Sequence, residues 1–338
     1  MKIIYFFLLP LIIFFTFKIA AKYSLLLNQS GDNHQKFAEK KNIPLIGGFF
    51  VLLNYLILFY SNFYFFNYFL FLIFFLGFFS DLKLIRSPLV RFLSQAIIIV
   101  LLVVFCDLSI NGTRVIFLDH LLTNNFFNIF FVSFCIIVLI NGSNFIDGLN
   151  TLLIGYYLII SIILYKLNLV ETLDLNISNF LFWIIFLIFL YFFNFFKKLF
   201  LGDSGAYTIS LITGFILVKL YATQNNISPF FIVLLLWYPC FELLFSIFRK
   251  FKFNKSPLKP DTKHFHQLVY FYLSKKNINK KNINSISANL INLYNFKILF
   301  VASEDITNSQ FQIIIILINI FVYSYLYLKL FLLKFNKK

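Results

Sequence analysis

A chain of 338 residues that is 61% hydrophobic and contains 52 phenylalanines would not stay in solution, which predicts a polytopic membrane protein. The formal net charge of +16 would suggest nucleic acid in a soluble protein, but in a membrane protein the positions of the charges decide what they mean. Cys106, Cys135 and Cys240 lie in or beside apolar runs without a paired spacing, which argues against a disulfide or a zinc site.

Ten apolar runs are long enough, or nearly so, to cross a bilayer. They are Ile3–Ala21, Leu45–Tyr60, Phe63–Phe79, Phe92–Cys106, Phe126–Ile140, Leu149–Tyr165, Phe180–Phe196, Ala206–Ala222, Pro229–Phe248 and Phe311–Leu333. An eleventh candidate, Ile283–Ala302, is more polar because it carries several Asn and Ser residues. The sequence therefore predicts an all-α polytopic membrane protein with ten or eleven transmembrane helices and one catalytic domain over residues 1–338. The alternative for Ile3–Ala21, a cleaved signal peptide, is disfavoured because one lysine is a weak n-region and cleavage would misplace Lys36–Lys41.

The basic residues predict the orientation of the chain. If the loop after the first run is cytoplasmic, 22 of the 29 Lys and Arg residues fall on the inner side, and only Lys2, Arg114 and Lys166 fall on the outer side. By the positive-inside rule the N-terminus lies outside, and with eleven spans the C-terminus is cytoplasmic. The predicted cytoplasmic loops are at about 22–43, 80–91, 141–149, 197–205 and 249–282. The positive charge is thus mostly an inner-leaflet signature, and no nucleic-acid partner is expected.

Five polar clusters interrupt the apolar sequence, and this topology makes all five cytoplasmic. They are Pro44-Leu-Ile-Gly47-Gly48, Ser80-Asp81, Asn141-Gly-Ser-Asn144-Phe-Ile-Asp147-Gly148, Leu201-Gly202-Asp203 and Pro260-Asp261-Thr-Lys-His264-Phe-His266. Charged groups at membrane depth are costly, so acidic residues at the mouths of helices call for a functional explanation. Together the clusters suggest a site for phosphate and a metal.

Each motif also has a structural explanation. Asp203 precedes a span, where an aspartate could hold a cation beside phosphate oxygens or simply cap the helix. Asn144 and Asp147 share a face if their segment is helical, and otherwise form a polar turn. Asp81 stands near Lys83 and Arg91, either as a salt-bridge partner or as an acid or base in an anion pocket.

The last cluster contains two histidines among ten basic residues. With no Cys and no third His nearby, phosphate or nucleotide contact is favoured over zinc for His264 and His266. Glu242 lies well inside the ninth apolar run, and the sequence leaves three options open for it: pairing with Lys219, pairing with Arg249, or lining the site.

The five motifs in this order resemble the polyprenyl-phosphate N-acetylhexosamine-1-phosphate transferases, over roughly residues 32–268. The resemblance implies that an N-acetylhexosamine 1-phosphate is transferred from a UDP-sugar to undecaprenyl phosphate. UMP would leave, and a lipid-linked cell-surface glycan would be initiated. It also implies a bacterial inner membrane and an active site on its cytoplasmic face. Membrane lipids are further expected partners, and a homodimer is one option.

The resemblance also implies roles for individual residues. Asp203 would bind Mg²⁺, with Mn²⁺ as a substitute, and Asp81, Asp147 and Asp203 would be catalytic. Phe200 matches the position that stacks on uracil, and Asp81 the position assigned to activating the lipid phosphate. The substrate-binding candidates are Gly47, Gly48, Lys83, Arg91, Asn144, Asn194, Phe200, His264 and His266.

The sequence departs from the family pattern at three places, Ser80, Asn150-Thr151 and Gln267, where the family usually has Asp, Asp-Gly and His. A sublineage that uses another sugar is favoured over a weakened enzyme because Asp81, Asn144, Asp147 and Asp203 persist. An N-acetylglucosamine-like donor is favoured over a MurNAc-pentapeptide donor. The rival functions are a transporter, with Glu242 and Lys219 as a coupling pair, and an inactive membrane scaffold.

Overall fold

The computed structural model describes residues 2–27, 43–224, 226–254, 256, 261–276 and 282–335, and these residues form helices and no named strand. The helices are α1 Lys2–Lys22, α2 Gly47–Phe59, α3 Tyr64–Asp81, α4 Pro88–Phe105, α5 Ile116–Leu122, α6 Asn125–Ile146, α7 Leu152–Lys166, α8 Ile177–Phe195, α9 Gly202–Thr223, α10 Pro229–Leu235, α11 Trp237–Lys252, α12 Phe265–Lys275, α13 Ile283–Ala302 and α14 Ser309–Phe335. The prediction of an all-α polytopic membrane protein is confirmed. The short helices α5 and α12 were not predicted.

Every predicted apolar run is helical, but fewer helices than predicted satisfy the length and composition of a membrane span. Among the described residues seven helices do so, or eight if α10 and α11 form one bent span, against the ten or eleven expected. Helices α2 and α7 have 13 and 15 residues, which at about 1.5 Å per residue fall short of a bilayer core of about 30 Å. Helix α13 has 20 residues but is too polar.

Hydrogen bonds between the loops show which loops lie at the same end of the bundle. At one end the backbone N–H of Gly47 donates to Phe200 O at 2.9 Å, and Asn150 N donates to Asn284 Oδ1 at 2.7 Å. At the other end Arg114 reaches both Thr307 O and Asn226 O, at 2.8 and 3.2 Å. The end with Gly47 is the one predicted to be cytoplasmic, and the end with Arg114 is the one predicted to be outside. The orientation in the membrane itself stays a prediction.

Helix α9 is the centre of the bundle. Over an 18-residue stretch of α9, 78% of the residues are buried inside the protein. Over a stretch of the same length in each of the peripheral helices α1, α4 and α14, 22% are buried. It packs against α2, α3 and α6. Because all three neighbours approach the start of α9, the backbone there is held more firmly than loop residues usually are.

The ninth apolar run is not one straight helix. Helices α10 and α11 meet at an angle of 79° around Leu236. The buried hydroxyl of Tyr156 sits at the break, where it donates to Leu235 O at 2.9 Å and accepts from Tyr238 N at 3.2 Å. A backbone break inside an apolar bundle leaves polar groups that need partners, and Tyr156 supplies one for each side. The bend directs α11 toward the predicted site.

Gly142 on α6 allows close approach to this bend. A Cβ atom at Gly142 would overlap the Pro239 carbonyl, which is backbone and has no rotamer to relieve the clash. We expect Gly142→Ala to lower the free energy of unfolding by about 1–3 kcal/mol, although alanine is the better helix former. The change is measured as a lower apparent melting temperature of the protein in detergent. Gly112→Ala is the matched control because a Cβ at Gly112 meets no atom within 4 Å. Equal melting temperatures for the two variants would contradict this packing.

Candidate active site

Asp203 is the hub of a polar group at the start of α9, called here the aspartate cluster and made of Ser80, Asp81, Arg91, Asn144 and Asp203. Arg91 Nη1 and Ser80 Oγ donate to Asp203 Oδ2 at 2.7 and 2.6 Å, and Asn144 Nδ2 donates to Asp203 Oδ1 at 2.7 Å. The cluster draws one side chain or more from each of α3, α4, α6 and α9. Asp203 is therefore fixed in orientation by three helices besides its own, while about a quarter of its side chain remains exposed.

Asp81 faces the beginning of α9. Its Oδ1 accepts from Asp203 N at 2.7 Å, and its Oδ2 accepts from Ser204 N at 3.1 Å and from Ser204 Oγ at 2.7 Å. The first backbone N–H groups of a helix have no partner within it, and a carboxylate there is favoured by the helix dipole. Asp81 thus caps α9 from a neighbouring helix. Its two oxygens are engaged by this contact, so the geometry does not present Asp81 as a free base.

Glycines make this close contact possible. Gly202 has φ +71°, and a Cβ there would lie 2.6 Å from Asp81 Oδ2. A Cβ at Gly77 would lie 2.5 Å from Ser204 Cα, and one at Gly48 would lie 2.5 Å from Gly205 N. Gly47 and Gly48, whose binding of substrate stays a prediction, donate backbone N–H groups to Phe200 O and Leu201 O at 2.9 and 3.2 Å. They hold the loop that carries Asp203.

Asp147 follows the last residue of α6 and stands near the same site. Burial, together with the charges of Asp203 and Asp81, raises the pKa of the Asp147 carboxyl well above its ordinary value. Within the described part of the chain its carboxylate has no hydrogen-bond partner. Helix α6 continues six residues beyond the predicted run, which places Asn144 on its last turn and Asp147 just after it.

A second group, called here the histidine cluster, consists of Glu242, Arg249, Asp261, His264 and His266. His264 Nδ1 lies 3.0 Å from Glu242 Oε1, and Arg249 forms a two-point ion pair with Asp261 at 2.9 and 3.2 Å. The His264 ring stands edge-on to Phe145 of α6 at 5.2 Å between centroids. The end of α6 therefore lies between the two clusters, with Asn144 in one and Phe145 against the other.

His266 is fully buried, and neither of its ring nitrogens has a hydrogen-bond partner among the described residues. It stacks on His264, with centroids 5.6 Å apart, and a Cβ at Gly148 would lie 2.8 Å from its Nε2. Burial and the neighbouring His264 lower the pKa of His266 to about 3, so its ring is neutral near pH 7. A buried imidazole without partners next to Gly148 is suited to a polar group on a bound ligand.

Of the three options left open for Glu242, the structure shows neither pairing, with Lys219 or with Arg249. Lys219 Nζ donates to Cys106 O at 3.0 Å, and Arg249 pairs with Asp261. Glu242 accepts instead from His264, from Phe265 N at 3.1 Å and from Tyr323 Oη at 2.7 Å. No periodic pattern in the sequence distinguished Tyr323, because it is one of 19 tyrosines and lies in a long apolar helix.

The remaining predicted residues have different surroundings. Asn194, predicted to bind substrate, is buried, and its amide is used by backbone: Nδ2 donates to Leu199 O at 2.9 Å, and Oδ1 accepts from Thr151 N. Phe200 is partly exposed, as a stacking platform requires, and Lys83 is exposed. The first residue of the last motif, Pro260, lies outside the described residues.

The departure at Asn150-Thr151 is a tight turn held by α13. Thr151 has φ +69°, and its carbonyl accepts from Asn292 Nδ2 at 3.0 Å. Thr151 Oγ1 donates to Asn289 Oδ1 at 3.1 Å. These contacts explain why α13 is rich in asparagine: its polar face binds backbone at the end of the bundle where the site lies.

In the part of the chain that the structure describes, no three side chains of His, Cys, Asp or Glu converge to enclose a metal ion. Three acidic side chains, Asp81, Asp147 and Asp203, nonetheless lie close together, and Arg91 is the cation that contacts Asp203. Mg²⁺ commonly takes only one or two carboxylates and completes its shell with phosphate oxygens and water. The residues present fit that kind of site.

Comparison with known proteins agrees with this arrangement. The glycosyl transferase family 4 model matches residues 63–221, which include every member of the aspartate cluster. The family resemblance predicted from the motifs is thereby confirmed.

Named relatives extend the similarity. An undecaprenyl-phosphate α-N-acetylglucosaminyl 1-phosphate transferase of Thermotoga maritima is 28% identical over 261 residues, 74% of this chain and 76% of that protein. The protein of the same name from Salmonella typhi is 26% identical over 243 residues, 67% of this chain and 65% of its own length. The Escherichia coli K12 protein of that name is matched over 52% of its length.

The contact between Asp81 and the start of α9 generates a prediction. Asp81→Asn replaces one accepting oxygen with an N–H₂ group that faces donors, so we expect the melting temperature to fall by the equivalent of about 1 kcal/mol. Asp107→Asn is the matched control, because Asp107 is exposed and its φ of +48° suits asparagine. Thermal unfolding in detergent measures both; an unchanged Asp81→Asn protein would show that the cap contributes little.

Proposed function

We propose that this protein transfers an N-acetylhexosamine 1-phosphate from a UDP-sugar to undecaprenyl or a related polyprenyl phosphate, with release of UMP. The observation that carries the proposal is the aspartate cluster, in which Asp203 is fixed by Ser80, Arg91 and Asn144 at the mouth of a buried helix. The names of the family relatives support this acceptor and this class of sugar phosphate.

The reaction brings two anions together, because an oxygen of the lipid phosphate attacks the sugar-bearing phosphorus and displaces UMP. Such a site must offset charge repulsion and orient both substrates. Arg91 supplies positive charge, and Asn144 and Arg91 keep the Asp203 carboxylate turned into the site. Phe200 is proposed to stack on uracil, and Lys83 to meet phosphate.

We assign Mg²⁺ to Asp203, Asp147 and Asn144, with Mn²⁺ as a substitute. When bound, the ion neutralises phosphate charge and polarises the phosphorus–oxygen bond that breaks. Asp147 fits this role because it is partly buried, has no hydrogen-bond partner among the described residues and stands beside two other carboxylates. Asp81 is proposed to keep Asp203 in place as the cap of α9, in preference to the base role that the family resemblance implies.

The histidine cluster is proposed to receive the diphosphate or sugar of the donor. His266 is neutral and has both ring nitrogens available, so one can donate to a substrate oxygen without adding charge. The location of the active site on the cytoplasmic face is proposed from the distribution of Lys and Arg. The bacterial inner membrane is proposed from the family resemblance.

The rival functions lose their supporting features. A transporter was argued from a Glu242–Lys219 pair, and these two residues bind different partners. An inactive scaffold would not need to preserve an Asp203 carboxylate held by three neighbouring side chains. Ser80, which stands where the family usually has an aspartate, is itself one of those three side chains.

UMP release tests the proposal. Purified protein in detergent, given undecaprenyl phosphate, Mg²⁺ and UDP-N-acetylhexosamines, is expected to release UMP only when lipid and donor are both present. Asp203→Asn should lower the rate by roughly a hundredfold or more, because it removes the charge without the volume. Asp107→Asn, on an exposed turn, should retain the wild-type rate. A correctly folded wild-type protein that releases no UMP from any donor would refute the proposal.

Magnesium dependence has its own test. EDTA should abolish UMP release and added Mg²⁺ should restore it. Asp147→Asn should raise the Mg²⁺ concentration needed for half-maximal activity by about tenfold or more, since one carboxylate ligand is lost. The same titration with Asp107→Asn should match the wild type. An unchanged Mg²⁺ requirement in Asp147→Asn would remove Asp147 from the metal site.

A further inference from the structure

Helix α14 contacts the histidine cluster, and the backbone of the segment between Asp261 and His264, through three polar side chains. Tyr323 Oη donates to Glu242 Oε2 at 2.7 Å, Tyr327 Oη donates to Lys263 O at 2.9 Å, and Lys334 Nζ donates to Thr262 O at 2.8 Å. All of these residues lie beyond residue 221, where the family match ends. The last described helix is thus built into the segment that carries His264.

Glu242 is the centre of this contact and is 1% exposed. Its Oε1 receives Phe265 N at 3.1 Å and His264 Nδ1 at 3.0 Å, and its Oε2 receives the Tyr323 hydroxyl. An ionised carboxylate can only accept hydrogen bonds, so the proton between Glu242 and His264 belongs to Nδ1. This contact sets the orientation of the imidazole, and the other ring nitrogen, Nε2, lies 3.6 Å from Asp261 Oδ1.

The Tyr323 hydroxyl is held in place by aromatic packing. Its ring lies 4.9 Å from Phe241 and from Phe265, and 5.3 Å from Phe245, between centroids. The ring is 5% exposed. Because Tyr323 cannot easily turn away, its hydroxyl fixes the Glu242 carboxylate, and the carboxylate in turn fixes the ring of His264.

The orientation of His264 determines what surrounds it. Its ring lies nearly parallel to that of His266, at 11°, and edge-on to Phe145 at the end of α6. Phe145 directly follows Asn144, which holds Asp203. A rotated His264 would therefore disturb the end of α6, which lies between the two clusters. The proposed donor diphosphate must lie on this side.

We propose that Glu242 and Tyr323 are positioning residues, which hold His264 with Nδ1–H directed at Glu242 so that the histidine pair meets the donor's diphosphate or sugar. This inference deepens the proposed function and rests on it. Tyr323 acts only through Glu242 and His264. The C-terminal helix α14 is accordingly part of the catalytic assembly as well as a membrane element.

Steady-state kinetics of UMP release test the proposal. Glu242→Gln is expected to lower turnover about tenfold or more, the order of loss seen when the outer partner of a functional histidine is removed. Tyr323→Phe keeps the ring and removes only the hydroxyl, so a smaller loss is expected. Tyr325→Phe is the matched control on the same helix, because Tyr325 is 57% exposed on the outside of the bundle. Melting temperatures show whether each variant is folded.

Two measurements separate positioning from general structural support. If Tyr323 acts through His264, the double variant Tyr323→Phe/His264→Gln loses no more activity than His264→Gln alone. The chain has only four histidines, so ring ¹⁵N resonances of histidine-labelled protein can be assigned by His264→Gln. Glu242→Gln and Tyr323→Phe should shift the Nδ1 resonance of His264, and Tyr325→Phe should not.

The outcomes for the two proposals are distinct. A wild-type protein that is folded but releases no UMP would overturn the proposed function. An active wild type whose Glu242→Gln and Tyr323→Phe forms keep full turnover and an unchanged His264 resonance would overturn the positioning proposal alone. Additive losses in the double variant would likewise show that Tyr323 does not act through His264.

Discussion

The rest of the site depends on the contact between the Asp81 carboxylate and the first backbone N–H groups of α9. The first N–H groups of a helix have no partner within the helix, and leaving them unpaired in a partly buried place would be costly. Asp81 satisfies those of Asp203 and Ser204 from helix α3. The same contact fixes the residue that carries the proposed chemistry. Close approach of the two helices is needed for this, and it requires the small residues Gly77 and Gly202.

The end of α6 organises the site at a second level. Asn144 belongs to the aspartate cluster, Phe145 packs against His264, and Gly148 makes room for His266. One helix end thus touches both groups that the proposed donor must bridge, the metal side and the diphosphate or sugar side. The family match covers the aspartate cluster and stops before the histidine cluster. The second cluster is therefore assigned by its position against α6 and by its own chemistry.

The helices that look least typical of membrane spans have polar contacts that account for their composition. Asparagines of α13 bind the turn at Asn150 and Thr151, and Tyr156 binds both sides of the break between α10 and α11. Non-helical backbone at membrane depth is tolerated where protein groups satisfy it. The asparagines that bind the turn are among the residues that make α13 too polar to qualify as a membrane span by composition.

The sequence by itself determined the apolar helices and the order of the polar motifs, and it predicted their common side, because hydrophobic length and charge asymmetry are local properties that need no knowledge of packing. It also identified Asp203 and Asn144 as neighbours in function. Only the tertiary structure decided that Asp81 caps α9, that Gly47 and Gly48 hold backbone, and that Glu242 pairs with His264 and Tyr323. Tyr323 follows Glu242 by 81 residues, and no local pattern specifies which side chain fills a distant buried position. Such pairings follow from how the helices pack.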